Sequence, residues 1–229
     1  MPGRFPDIEG GQVADGEVSH PVFARFYRAA SRAMERRGMA KHRRDLLADL
    51  VGEAIEVGAG NGLNFRHYPP ETTRVLAVEP DRDLRRVARY EAQRAPVPVE
   101  VVDGVADRLP AGDASFDAAV VSLVLCSVPD QRSALAEIRR VLRPGGRLFF
   151  VEHVRAERPG PARFQRALDR FLWPKLCGGC RLSRDTAAAI RAGGFGIERL
   201  ERARLPDTRV SLPLIIGTAI RREGPGETG

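Results

Sequence analysis

Residues 55 to 62, IEVGAGNG, constrain this chain more than any other stretch. A short apolar run stops at three glycines in alternate positions, Gly58, Gly60 and Gly62. A glycine break between a strand and a helix lets a ligand lie against bare backbone. The helix start that follows then offers free N–H groups to polar ligand atoms. The spacing is GxGxG, with Leu63 where the dinucleotide fingerprint has its last glycine, so the pattern departs from that fingerprint. A second run, Arg74 to Glu79, ends in an acid 21 residues beyond Gly58. A carboxylate at that distance suits a ribose diol, accepting from both hydroxyls, and repels the extra phosphate of NADP. The competing reading is a tight structural turn followed by a surface glutamate.

The surrounding pattern alternates strand and helix. Ala54 to Val57, Arg74 to Glu79, Val97 to Val102, Phe116 to Leu123 and Arg147 to Val151 read as strands. Asp81 to Arg94, with Asp81 as N-cap, and Asp130 to Leu142 read as helices. LRPGG, residues 142 to 146, reads as a turn. Arg163 to Leu176, ending near Pro174, and Arg184 to Ala192 read as later helices, with strands at Phe195 to Leu200 and Leu214 to Ile220. Helical spacing over residues 22 to 50 predicts two helices, or one broken near Gly38, ahead of the first strand. This order implies an α/β, mostly parallel sheet with helices on both faces. We expect a flexible segment over residues 1–18, one domain over 19–221 that includes the leading helices at 19–50, and a flexible tail over 222–229.

Charge narrows the partners less than the net value suggests. The chain carries a formal +7 and an isoelectric point near 10.1, nearly all from arginine. The densest cluster, Arg36, Arg37, Lys41, Arg43 and Arg44, is modest, and no single basic tract forms, so no nucleic-acid partner is expected. The longest apolar candidate, Leu212 to Ile220, is half the ~18 residues of a membrane span and contains Pro213 and Gly217. No integral membrane association is expected, the first residues show no signal-peptide core, and cytoplasm is the expected location. A homodimer is left open.

With these features in place, the chain resembles the class I S-adenosylmethionine-dependent methyltransferases. EVGAGNG (56–62) is similar to that family's first motif and AVEP (77–80) to its second. Residues 103–130, DGVADRLPAGDASFDAAVVSLVLCSVPD, are similar to its third and fourth motifs. LAEIRRVLRPGGRLFFVEHV (135–154) resembles the segment running through its fifth strand. More narrowly, NFRHYPP, SLVLCSVPD, RVLRPGG, EHV and GGCRLSRDT resemble a bacterial group related to animal methyltransferase-like proteins that methylate alkyl thiols. The resemblance implies a Rossmann-like seven-stranded sheet with the leading helices as an N-terminal helical cap and S-adenosyl-L-methionine as cofactor, and it assigns roles residue by residue. Glu56 would orient the loop and face the methionine amino group. Gly58, Ala59, Gly60 and Asn61 form the loop, with Gly58 and Gly60 against the methionine part and Gly62 helping the next helix pack. Glu79 would hold the ribose, with Pro80 and Asp81 bordering the adenosine. Gly104, Val105 and Ala106 would line the adenine. Relatives often have an acid where Val105 stands, and Asp107 or a backbone carbonyl would replace it. Ser122 and Leu123 would lie near the methyl donor.

Methyl transfer is an in-line attack whose largest lever is alignment. A thiol, with a pKa of roughly 8.5, needs little further help near neutral pH. His153 is the candidate base, since it follows the fifth strand and an imidazole can take a proton near pH 7. The bland reading is a histidine bonded to backbone. Glu152 is a candidate to orient it or to contact substrate. His67 and Tyr68 are expected past the opening turns of a helix after the glycine loop, covering the cofactor or packing. Phe23, Phe26 and Tyr27 read as a core stripe and a lid. Phe164, Phe171 and Trp173 are candidates for the other side of an apolar pocket. The substrate-side candidates are therefore Phe23, Tyr27, Cys126, His153, Trp173 and Cys180.

The three cysteines exclude a disulfide scaffold. Cys177 and Cys180 form a CxxC deep in the chain, where a redox pair would open a helix after a first strand. A structural zinc site needs four ligands, and Cys126 with His153 shows no spacing signal, so no metal is expected. Cys180 matches the single cysteine of the resembled GGC segment, and Cys177 looks dispensable. The expected function is methyl transfer to a small, apolar acceptor: a thiol first, then a hydroxyl or carboxylate, with quinone-type methylation also open. The alternatives are a nicotinamide-dependent oxidoreductase, a noncatalytic cofactor-binding protein and a nucleic-acid methyltransferase.

Overall fold

A computed structural model describes residues 21–171, 173–204 and 212–222, without the side chains of Pro21, Val22, Phe23, Phe171 and Leu176. The flexible segments expected over 1–18 and 222–229 lie outside the described residues, apart from Arg222. Seven strands form one sheet: β1 (Gly52–Val57), β2 (Thr72–Val78), β3 (Val99–Val102), β4 (Phe116–Ser122), β5 (Leu142–His153), β6 (Phe195–Arg204) and β7 (Pro213–Arg221). Their order is β3-β2-β1-β4-β5-β7-β6. The first five strands run parallel, and β7 is antiparallel to both β5 and β6. Strand order reverses between β1 and β4. In open α/β sheets the crevice outside the strand ends at such a reversal is where ligands bind.

The helices are α1 (Pro21–Met34), α2 (Ala40–Leu47), α3 (Arg82–Ala92), α4 (Gln131–Val141), α5 (Pro159–Phe171), α6 (Trp173–Leu176) and α7 (Thr186–Ala192). They cover both faces because the strands are apolar on both. Ile55, Val57, Leu76, Val121 and Phe150 pack with Leu135 and Ile138 of α4 on one side. Ala54, Val75, Ala77, Val120 and Phe149 pack with Leu46 and Leu47 of α2 on the other. Buried parallel strands read as near-continuous apolar runs for this reason. Aspartates start three of the helices. Asp81 accepts from Asp83 N and Leu84 N, Asp130 from Arg132 N and Ser133 N, and Asp185 from Ala188 N. Each such cap is worth roughly 1 kcal/mol. The break near Gly38 is real: a π-turn at Glu35–Met39 joins α1 to α2, and Gly38 has φ +112°. No helix among the described residues is long and apolar enough to cross a membrane.

Three expectations need correction. No α-helix follows the glycine loop. Residues 61–64 form turns, and a 3-10 turn covers Phe65–His67. Its bonds run from Phe65 N to Gly62 O and from His67 N to Asn64 O. Positive φ at Gly60 and Gly62 on one side, and Pro69–Pro70 on the other, leave no room for a longer helix. Gly62 therefore packs a turn rather than a helix, since a Cβ there would meet the Phe65 ring at 2.7 Å. LRPGG lies inside β5, where the pairing with β4 jumps from Phe116–Leu142 to Ala118–Arg147. Pro174 sits in the first turn of α6, where its missing N–H costs nothing, instead of ending a helix.

Candidate active site

The loop after β1 is set by its own backbone. Gly58 N and Ala59 N both donate to Val78 O, at 2.8 and 3.0 Å, which holds the loop against the end of β2. Gly58 and Gly60 have φ of +70° and +58°, a region that costs an L side chain about 1–2 kcal/mol. Space is equally short. A Cβ on Gly58 would meet Val124 Cγ2 at 2.6 Å, and one on Gly60 would meet the Tyr27 ring and hydroxyl at 3.2 Å. Tyr27 of α1 thus lies directly over the loop. Burial pushes its phenol up to about 12, opposed mainly by Arg43.

Glu79 follows β2 with its carboxylate buried. Oε2 accepts from Gly60 N at 2.7 Å and Oε1 from Asp81 N at 2.9 Å. Burial raises its pKa to about 7, against the pull of those two N–H groups. Arg85 of α3 fixes the strand ends around it, donating to Glu79 O, Pro80 O and Asp103 Oδ1 at 2.7, 2.9 and 2.8 Å. A cavity of about 1220 Å³ opens here. Gly58, Gly60, Glu79, Pro80, Asp81, Gly104, Val105, Ala106, Asp107, Ser122 and Leu123 all line it, with Phe26 and Tyr27 from the cap. That volume exceeds the ~300–1,000 Å³ of common small-molecule pockets, which leaves space for two molecules side by side.

Glu56, Ala59, Asn61 and Gly62 do not line this cavity. Asn61 donates to Ser31 Oγ of the cap at 3.3 Å. Glu56 is the buried centre of a network. Its Oε1 accepts from Asn64 Nδ2 at 2.9 Å and its Oε2 from the Tyr68 hydroxyl at 2.7 Å. Asn64 also bonds Ser122 Oγ and accepts from Arg43 Nη1, and Arg43 Nε reaches Glu35 at 2.7 Å. Even so, burial holds Glu56 at about 7. Tyr68 therefore packs under the loop. His67, half-buried, has no hydrogen-bond partner on Nε2 among the described residues.

The opposite wall rests on Glu152. Leu123 has φ +61°, an outlier for a non-glycine residue. The strained turn is held because Glu152 Oε1 accepts from Val124 N and Leu125 N, and Oε2 from Cys126 N, at 2.8, 2.9 and 2.9 Å. Next to it, at the end of β5, His153 meets two thiols. Its Nδ1 is 3.6 Å from Cys180 Sγ and 3.9 Å from Cys126 Sγ, and the two sulfurs are 3.6 Å apart. Their hydrogen bond raises the Cys126 thiol well above its usual range and lowers that of Cys180, which His153 lowers further. His153 Nε2 is buried with no hydrogen-bond partner among the described residues. Leu123, Trp173 and Cys177 pack against Cys126 and Cys180, and Leu123 and Cys177 also line the cavity; Cys126, His153, Trp173 and Cys180, expected on the substrate side, do not. Cys177, and not Cys180, is thus the cysteine of the CxxC at the cavity surface; burial pushes its thiol up to about 11. Phe164 is exposed, and the Phe23 and Phe171 side chains lie outside the described residues.

Sequence reasoning missed Arg85, Arg43, Asn64 and the meeting of Cys126, His153 and Cys180. Arg85 and Arg43 carried no motif, and Asn64 opens NFRHYPP with no role assigned to it. The cluster joins segments 27 residues apart in both directions: the pairing of β4 with β5 brings Cys126 to His153, and Arg181 N on Cys126 O docks Cys180 beside them.

A parallel sheet with a glycine loop after β1, a buried acid after β2 and a cavity at the strand reversal defines an enzyme that binds a nucleoside-containing ligand. Residues 55–150 match the family described as Methyltransferase domain. Human thiol S-methyltransferase TMT1A is 34% identical over 196 residues, 80% of each chain. Demethylmenaquinone methyltransferase from Renibacterium salmoninarum is 32% identical over 120 residues, covering 50% of this chain and 49% of that one. The solved structure of the YcgJ protein from Bacillus subtilis superposes with a TM-score of 0.63 at 22% identity, over 76% of this chain and 93% of that one. The chain belongs to the class I S-adenosylmethionine-dependent methyltransferase family, and it transfers a methyl group from that donor to a small molecule. The nicotinamide and noncatalytic alternatives fall with this assignment. The residues present fit the donor: each Glu79 oxygen accepts one backbone N–H and retains capacity for a hydroxyl, and the backbone at Gly58 and Gly60 is bare.

Proposed function

We propose that the acceptor is a small apolar thiol. The observation that carries this reading is the likeness to a thiol S-methyltransferase across four-fifths of both chains, extending well beyond the shared cofactor half. The cavity supports it. Phe26, Leu123, Val124, Val128, Pro129 and Ala134 make its lining predominantly apolar. The donor, when bound, supplies a methyl group already activated on a positively charged sulfur. In this reading Glu79 holds the ribose, Gly104 to Ala106 lie along the base, and the loop at Gly58 and Gly60 takes the methionine end. The protein's remaining task is alignment and removal of one proton. The acceptor is a free small molecule met in the cytoplasm, with no nucleic acid involved, and a homodimer is compatible but unnecessary.

The test is an acceptor screen with purified protein, following S-adenosylhomocysteine release. Alkyl thiols should turn over, and alcohols of the same carbon skeleton should not. Turnover of a demethylmenaquinone analogue with none of any thiol would move the acceptor to a quinone ring. The shorter likeness to that second enzyme makes it the other acceptor to try.

A further inference from the structure

Cys126, His153 and Cys180 sit more closely than general-base chemistry requires. Their ligand atoms all lie within 4.8 Å of one another, and all three residues are buried. A tetrahedral zinc ion, with bonds of ~2.3 Å to sulfur and ~2.0–2.1 Å to nitrogen, sets sulfur–sulfur edges of about 3.8 Å and sulfur–nitrogen edges of about 3.6 Å. The observed separations, 3.6 Å between sulfurs and 3.6 and 3.9 Å from Nδ1, match those edges to a few tenths of an ångström.

The backbone holds each residue in place. Cys126 N is fixed by Glu152, and Cys126 O accepts from Arg181 N at 2.8 Å, which ties the two cysteine segments together. A Cβ on Gly179 would meet Ser127 O at 2.7 Å, so the 177–181 turn lies flat against the 126–127 turn. His153 is fixed by pairing with Leu214 of β7. Two thiolates and an imidazole select a thiophilic ion over magnesium or calcium. Three protein ligands with the fourth position open is the arrangement of a catalytic metal, not a structural one. Leu123 and Cys177 pack against the two cysteines and also line the cavity, so the cluster lies directly behind the cavity wall.

We propose that Cys126, His153 and Cys180 bind a zinc ion whose fourth ligand is the sulfur of the acceptor thiol. The fourth-ligand part rests on the thiol reading above. The acceptor loses its S–H proton to solvent as its sulfur joins the metal. That sulfur then forms the new bond to the methyl carbon, while the electron pair of the broken carbon–sulfur bond stays on the donor's sulfur. The metal's charge does not change. His153 is then a ligand through Nδ1, with its ring proton on Nε2, and the metal takes over the deprotonation.

The test uses the reduced full-length chain, loaded with Zn²⁺, freed of excess and analysed for metal by mass spectrometry. Wild type and Cys177→Ser should retain one equivalent. Cys126→Ser and Cys180→Ser should lose it while still melting cooperatively and binding S-adenosylhomocysteine. Co²⁺ in the wild-type protein should give a sulfur-to-metal charge-transfer band and tetrahedral d–d bands that shift when propanethiol is added. Folded wild type without stoichiometric zinc, or zinc retained by the Cys126→Ser/Cys180→Ser double variant, would overturn the site. Cobalt bands that propanethiol leaves unmoved would overturn the fourth ligand. None of these readouts uses methyl transfer. A zinc-binding chain that methylates no thiol therefore refutes only the acceptor assignment.

Discussion

Glu79→Gln gives the most informative single perturbation of the donor site. Both carboxylate oxygens already accept a backbone N–H, from Gly60 at 2.7 Å and Asp81 at 2.9 Å. Glutamine retains one acceptor and turns an NH₂ group towards the other N–H, so one ribose hydroxyl loses its charged acceptor. A hydrogen bond to a charged group is worth about 1.5–3 kcal/mol, which makes donor affinity fall about 10- to 150-fold. Protonation gives a second, independent signature. Burial raises Glu79 to about 7, and the ribose diol requires the ionised form. Wild-type affinity for S-adenosylhomocysteine should therefore drop about tenfold from pH 8 to pH 6, and that of Glu79→Gln should stay flat. Glu56, also at about 7, does not supply the same dependence, because Asn64 and Tyr68 occupy its oxygens and it does not line the cavity. Calorimetric titration at both pH values measures both effects. Unchanged affinity in the variant, or the same pH dependence in both proteins, would refute the role of Glu79. The donor-free protein should show the opposite trend in stability. A carboxylate with a raised folded pKa contributes fully below its unfolded value of ~4.3, and that contribution disappears as pH rises through about 7.

Three further outcomes follow from the same geometry. Gly60→Ala should lose about 1–2 kcal/mol from its left-handed φ alone, and should weaken donor binding by displacing Tyr27; thermal melts and titration read the two effects separately. Tyr68→Phe removes the hydroxyl donated to Glu56, so urea unfolding should show a loss of about 1.5–3 kcal/mol at pH 8, where Glu56 is ionised, and about 0.5–1.5 at pH 6. Glu152→Gln sets an NH₂ group against one of three backbone N–H groups; a loss of about 1–3 kcal/mol in urea unfolding, with turnover falling more than donor affinity, is the expected result.

The sequence made the donor half of the site readable because its chemistry is local. Gly58 and Gly60 need their residue type for φ, and Glu79 ends the strand beside them, so motif and geometry coincide. The helix expected after Gly62 failed for a reason the sequence also contained: Pro69 and Pro70 cut it short, but the strand–glycine–helix pattern of the loop outweighed them in the reading. The acceptor half was less readable because its contacts are long-range. Glu152 looked like a partner for His153 but instead holds the 124–126 turn, and nothing in SLVLCSVPD announces that need. Cys126 and Cys180 were weighed separately because 54 residues divide them, and the docking of Arg181 N on Cys126 O brings them together. Arg43 resembled one more charge in a basic run, yet it is buried against Asn64 and Glu35.

The position of β7 also governs how this enzyme is made. It lies between β5 and β6, so β6 has no neighbour in the sheet until residues 213 to 221 have been synthesised. Until then β5, which ends in Glu152 and His153, shows one unpaired edge, and His153 lacks its partner Leu214. The glycine loop, Glu79 and their strands emerge from the ribosome far earlier and can form their pairings while translation continues. The growing chain therefore acquires a donor pocket before an acceptor pocket. A nascent polypeptide stalled short of residue 213 would present a bare strand edge beside Glu152 and His153, the kind of surface that recruits chaperones or seeds aggregation.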